Sequence, residues 1–259
     1  MRIIFLGTNG WYASPKTGNT TCALIETADR NIVLDAGDGF AWLSEHATDR
    51  KKPIDVFLSH FHIDHVAGLH MLPKIGKGAR VRIFVQPKGK KAIMRLLDHP
   101  YTASPYEQFA KVSVHELAKG KNTISDRQGR YEVHVAPLVH ADPCIGFRFA
   151  LNGKDGKRTV AYCTDTGPCK NYLKLAKGAD LLITECGLLP GAKTNPEWPH
   201  LSPESAAGLA KEAGCKKLVL THFAAHHYKS MEMRDTAQRA AAKIFPAAIA
   251  AKDGMAIGF

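Results

Sequence analysis

The chain has 259 residues, 45% hydrophobic and 23% charged, an ordinary balance for a globular fold with a sizeable core. No apolar run approaches the roughly 20 residues of a membrane-spanning helix, and the six scattered cysteines form no Cys-x-x-Cys pair, which leaves zinc-finger and dithiol redox motifs unsupported. A formal net charge of +11, from 35 basic and 24 acidic residues, suits an anionic partner such as RNA, a nucleotide or a phosphate ester.

Residues 2–8 read as a strand running into a glycine turn, too short for a secretory signal. With reduced thiols, this predicts a cytoplasmic protein. Residues 21–26 and 31–34 are further short strands. The second ends in the glycine-rich turn Asp35-Ala36-Gly37-Asp38-Gly39, and residues 40–46 follow as a short helix. Residues 54–58 form a buried strand. Residues 81–85 are a strand and 88–97 a basic helix. The densest basic stretch spans them with Lys74, Lys77, Arg80, Arg82, Lys88, Lys90, Lys91 and Arg95, either lining the approach to a site or forming a solvated surface.

Farther on, residues 131–135 alternate as a half-buried strand. Residues 146–151 and 159–163 pair across the turn Asn152-Gly153-Lys154-Asp155-Gly156. Residues 180–185 are an apolar strand. Residues 202–213 are a helix with Ser202 at its N-cap, Pro203 at its first position and Gly214 past its end. A strand over 217–221 and a closing helix over 231–244 complete the series. No linker interrupts it, so residues 1–259 read as one mixed α/β domain.

The segment after the strand at 54–58 carries the chemistry. His60, His62, Asp64 and His65 fall within six positions, and imidazole with carboxylate suits Zn, Mn or Fe. Strand geometry continued past Leu58 would set His60 and His62 on one side. Asp64 and His65 would open a helix with Val66, Leu69 and Leu72 as its apolar stripe. One pair then faces one metal and the other pair a second. His140, Asp165 and His222 also lie just beyond strands, where open α/β folds place ligands.

His60-x-His62-x-Asp64-His65 followed by His140, Asp165 and His222 resembles the metallo-β-lactamase superfamily in motif and order. Gly7-Thr8, Asp35-Ala36-Gly37 and Asp253-Gly254-Met255 extend the likeness along the chain. Tyr162-Cys163-Thr164-Asp165-Thr166, Glu185 in Ile183-Thr184-Glu185-Cys186, His200-Leu201-Ser202 and Leu220-Thr221-His222-Phe223 are most similar to the ribonuclease Z-like phosphodiesterases. The resemblance implies a four-layer αββα sandwich with two divalent metal ions at one edge, zinc first and manganese or iron as alternatives.

It also implies roles. His60, His62 and His140 hold one metal, Asp64, His65 and His222 the other, and Asp165 bridges them. Asp35 orients a ligand from behind. Asp64 counts among the catalytic residues as well. His200 stands beside the leaving group, and Glu185 supports it. His226 and His227 are further candidates for reaching a substrate phosphate. The other histidines, His46, His70, His99, His115 and His134, match nothing in the family pattern.

The ribonuclease Z family proper carries a long tRNA-gripping arm between the third histidine and the bridging aspartate. Only residues 141–164 separate His140 from Asp165 here. A small or nucleotide-like phosphodiester is therefore the expected substrate. Alternatives are a tRNA 3′-processing endoribonuclease without the arm, and a thioester or lactone hydrolase of the same fold. A homodimer is also implied by the resemblance. A di-iron oxidoreductase and a non-catalytic module are disfavoured, because His62 stands where the former places Glu and none of the seven ligands is missing.

Overall fold

The computed structural model describes residues 1–47, 49, 51–76, 78–102, 110–153 and 156–259. Strand alternation decides its architecture. In β1 (Arg2–Gly7), Ile3 and Phe5 face one core while Ile4 and Leu6 face another. In β11 (Gly156–Cys163), Val160 and Tyr162 share the first of these cores, and Ala161 and Cys163 enter a third. Strands buried on both faces read as unbroken apolar runs and must be covered on both sides.

One sheet therefore joins β15 (Ala256–Gly258), β1, β3 (Cys22–Glu26), β4 (Asn31–Leu34), β5 (Ile54–Phe57), β6 (Arg80–Val85) and β7 (Lys111–Glu116), in that order. The other runs β14 (Ala248–Ala250), β13 (Leu218–Ala224), β12 (Leu181–Cys186), β11, β10 (Ile145–Gly153), β9 (Gly129–Pro137) and β8 (Gly120–Asp126). The short β2 (Asn9–Gly10) pairs with β13. Between the sheets, Phe57 stacks on Phe84 with centroids 4.7 Å apart and meets Phe149 edge-on at 4.9 Å.

Helices cover both outer faces. Leu43 of α1 (Leu43–His46), Leu72 and Ile75 of α3 (Leu72–Ile75), and Ile93 of α4 (Lys90–Leu96) close one core. Tyr172 of α5 (Lys170–Ala176), Ala207 of α6 (Pro203–Glu212) and Ala237 of α7 (Met231–Ala242) close the other. The result is a four-layer αββα sandwich, the architecture the resemblance implies. Strands β4 to β7 run parallel, as do β11 to β14, so their carboxyl ends collect at one rim. No helix among the described residues is long and apolar enough to cross a membrane, and all six cysteines are free thiols.

Several details depart from the sequence reading. Strand β5 ends at Phe57, so His60 and His62 sit in a loop, yet their rings still approach to 4.5 Å. The expected helix beyond them is broken into α2 (Ile63–Val66), a 3₁₀ turn (Ala67–Met71) and α3. Gly68 explains the break: it donates to the carbonyl of Ala36, and a Cβ there would lie 2.1 Å from the oxygen of Gly37. The stripe of Val66, Leu69 and Leu72 is buried as expected. Helix α7 does not close the chain, because β14 and β15 follow it. The basic stretch is divided. Arg82 is bound to Asp55, and Lys74 reaches Glu45, while Lys77 lies outside the described residues, as do Lys154 and Asp155 of the 152–156 turn.

Candidate metal centre

Loops at the strand tips bring together every residue of the expected ligand set. Ligand atoms of His60, His62, His140 and Asp165 converge within 4.8 Å of one another, and so do those of Asp64, His65 and His222. Asp165 faces both groups. Its Oδ2 lies 3.5 Å from His60 Nε2 and 4.0 Å from His140 Nε2. Its Oδ1 lies 3.1 Å from His222 Nε2 and 3.5 Å from His65 Nε2. In the second group, Asp64 Oδ2 is 3.3 Å from His222 Nε2, and the Nε2 atoms of His65 and His222 are 3.0 Å apart.

The backbone pays for this convergence: Asp35, Asp165 and His222 all have positive φ, at 55°, 52° and 49°. Such values are uncommon for residues other than glycine and cluster at functional sites. Gly10 leaves room for the His222 ring, since a Cβ there would fall 2.4 Å from its Cε1.

Contacts behind the ligands fix their tautomers. Buried Asp35 accepts from Ser59 N, Ser59 Oγ, His65 Nδ1 and Tyr162 OH, all at 2.7–2.9 Å. A carboxylate can only accept, so His65 carries its proton at Nδ1 on that side. Ser59 Oγ, which donates to Asp35, accepts from His60 Nδ1 at 3.0 Å. That leaves His60 Nε2 buried and without a hydrogen-bond partner among the described residues. His62 turns Nε2 to Asp142 at 2.8 Å and keeps Nδ1 toward His140. An unpartnered buried imidazole nitrogen amid carboxylates is the donor set a divalent cation requires.

Electrostatics point the same way for His60, His140 and Asp165; at His65 burial is outweighed by Asp165, Asp64 and Asp35, which raise the imidazole well above its ordinary value. Burial and then the neighbouring His65 push His60 down to about 2, which keeps it a neutral lone-pair donor. Burial likewise lowers His140. Burial pulls Asp165 upward, but His222, His65 and His60 outweigh it and hold the carboxyl well below its usual range. These are the protonation states in which side chains bind metals.

His200 stands beside this cluster, its ring 5.7 Å from that of His140. Its Nδ1 donates to Glu185 at 2.9 Å, while its Nε2 is buried and has no hydrogen-bond partner among the described residues. Glu185 also accepts from the amides of Thr166, Gly187 and Leu201. Burial lowers the basicity of His200, but the charge and hydrogen bond of Glu185 reverse this and raise it to about 9.

The sequence matches the model of the family described as "Beta-lactamase superfamily domain" over residues 30–223. The chain belongs to that family. A ribonuclease Z from Methanosarcina acetivorans is 26% identical over 311 aligned positions, covering 98% of this chain and 97% of that protein. The metallo-β-lactamase fold protein YhfI from Bacillus subtilis superposes with a TM-score of 0.79 at 20% identity, covering 99% of this chain and 98% of that one. The short form of human tRNase Z superposes with a TM-score of 0.73 at 25% identity, covering 100% and 99%. The chain is thus a hydrolase of the metallo-β-lactamase superfamily, and its His/Asp cluster suits divalent metal.

In this superfamily hydrolase the cluster opens into a cavity of about 260 Å³ lined by Trp11, Ile63, Trp198 and His200 together with ligand residues. Trp11 donates its backbone N–H to Asp64 Oδ2 at 2.7 Å. Trp11, Ser59, Asp142, Tyr162 and Trp198 were not singled out as site residues by sequence reasoning. Ser59, adjacent to the motif, and Tyr162, within the run Tyr162-Cys163-Thr164-Asp165-Thr166, carried a signal. Of the two extra histidines, His226 is exposed against Trp11, and His227 Nδ1 is bound to the carbonyl of Gly187.

Proposed function

We propose that this chain is a binuclear metal-dependent phosphodiesterase acting on a small or nucleotide-like phosphodiester. The observation that carries the reading is His200, fixed by Glu185 next to the ligand cluster with its Nε2 unpartnered. A departing alkoxide needs a proton, whereas a thiolate, with a thiol pKa of about 8.5, leaves without one. A buried, carboxylate-backed imidazole therefore favours phosphodiester over thioester chemistry.

His60, His62, His140 and Asp165 would hold one ion, and Asp64, His65, His222 and Asp165 the other, with zinc as the proposed metal and manganese or iron as alternatives. When bound, such ions supply Lewis-acid stabilisation of anionic oxygen and lower the pKa of water. The protein's own groups do the rest. Asp35 and Asp142 orient His65 and His62, the Trp11 amide holds Asp64, and His200 gives the Nε2 proton to the leaving oxygen.

A second reading, tRNA 3′ processing, is favoured by relatives named ribonuclease Z and by the net charge of +11. It is opposed by the short 141–164 span, where β10 and β11 pair directly. The homodimer implied by the resemblance goes with either reading, and sedimentation tests it. Metal content should be measured first. The purified protein should then be assayed on bis-p-nitrophenyl phosphate, a thioester, a lactone and a precursor tRNA. Turnover of the phosphodiester is expected; turnover of the thioester or lactone alone would overturn the reading, and efficient tRNA cleavage would favour the second.

A further inference from the structure

We propose that Trp11 and Trp198 are specificity-determining residues, which select phosphodiesters carrying a nucleobase close to the scissile phosphate. The inference rests on the phosphodiesterase reading and names its substrate class. The cavity, at about 260 Å³, is smaller than the roughly 300–1,000 Å³ of ordinary ligand sites. It takes the reacting group and leaves the remainder of a substrate on the rim. That rim is aromatic. Trp11 is 49% exposed and Trp198 41% exposed, with ring centroids 5.9 Å apart and planes inclined by 33°. His226 meets Trp11 edge-on at 5.6 Å.

Two stacking contacts of about 3.5 Å each would be needed to sandwich a third ring. The tryptophans stand too close for that, so a planar ligand lies on their open faces. Each is tied to the reaction centre through its own backbone. Trp11 holds Asp64 through its amide at a φ of 74°, and Trp198 precedes His200 by two residues. A flat group stacked there would sit next to the phosphate being cut.

Charge supports a base over a phosphate backbone. The described residues lining the cavity include no lysine or arginine, so nothing in it tracks a run of phosphates as single-strand grooves do. Indole faces instead accept any base by offset stacking.

The test compares two esters with one leaving group, thymidine 5′-p-nitrophenyl phosphate and methyl p-nitrophenyl phosphate. The zinc-loaded wild-type protein should prefer the thymidine ester in kcat/KM. Trp11→Ala and Trp198→Ala should each shrink that ratio about tenfold, mainly through KM, while Trp11→Phe keeps most of it. The ratio cancels any general loss of activity in a variant. No preference in the wild type, or an unchanged ratio in both alanine variants, overturns the proposal. If neither ester is cleaved, the phosphodiesterase reading fails, and binding still decides the stacking site. On a Trp42→Phe background, thymidine 5′-monophosphate should quench the remaining tryptophan emission and inorganic phosphate should not. Equal quenching by both, or by neither, overturns the proposal.

Discussion

The carboxylate of Asp35 accepts the Nδ1 hydrogen of His65 at 2.9 Å, with both side chains fully buried. The same carboxylate gathers Ser59 and Tyr162, so one group sets the orientation of the loop that carries four ligand candidates. Asp35→Asn keeps the shape but puts an amide nitrogen among donors. Zinc affinity should fall about 10- to 100-fold, the usual effect of removing a partner behind a ligand. Titration against a chromogenic chelator checks this; an unchanged dissociation constant would remove Asp35 from the site.

Asp165 divides its two oxygens between the two ligand groups, whereas His222 serves one of them. Elemental analysis should therefore find two ions per chain in the wild type and one in His222→Ala. In Asp165→Ala the content should drop below one, because each group loses an anionic ligand. Equal losses in the two variants would refute the bridging assignment.

Removal of His200 should leave metal content intact and lower turnover about 10²- to 10⁴-fold, the range of general acid catalysis. The loss should be greater for an alkyl leaving group than for p-nitrophenolate, which departs with little help. Glu185→Gln should show the same leaving-group trend with a smaller loss, since it acts through His200. Metal loss in His200→Ala would make His200 a ligand instead.

The strands and the first four ligand candidates were legible because they are local, whereas His140, Asp165 and His222 were legible from their places just beyond strands and from the family resemblance. Alternation over residues 131–135 reports burial one residue at a time, and His60 to His65 lie within six positions. The edge strands β7 and β8 were missed for the opposite reason. Val114 is the one buried residue of β7 and Ile124 of β8, too few to mark a period. Helix α5 carries no Ser, Thr, Asp or Asn at its cap; Cys169 takes that place. Trp11 and Trp198 are 187 positions apart, and only the fold makes them neighbours. The break at Gly68 depends on the backbone of the Asp35 turn, which local periodicity does not see.

Far from the rim, stability rests on charge. Asp55 is fully buried and accepts from Arg82 Nε and Nη2 at 2.7 Å, Tyr131 OH at 2.8 Å and Arg30 Nη1 at 3.2 Å. Asp29 and Asp126 complete the shell around Arg30. Asp55→Asn removes the one fully buried counter-ion shared by Arg30 and Arg82 and leaves them the more exposed Asp29 and Asp126, so it should destabilise by less than the roughly 3–5 kcal/mol of a wholly unpaired buried charge. Burial alone would raise Asp126, but the hydrogen bonds from Arg30 and the Gln128 amide together with the charges of Arg30 and Arg82 outweigh it and hold the carboxyl below its ordinary value. Asp29 is lowered too, by Thr27 and Arg30 against burial. A carboxyl with a depressed folded-state pKa adds stability that is complete above its unfolded value of about 3.9 and fades as pH falls through the folded value. Denaturant midpoints should thus drop below about pH 4, and Asp126→Asn should flatten that acid limb while costing stability at pH 7. An acid limb identical to that of the wild type would show that Asp126 does not contribute.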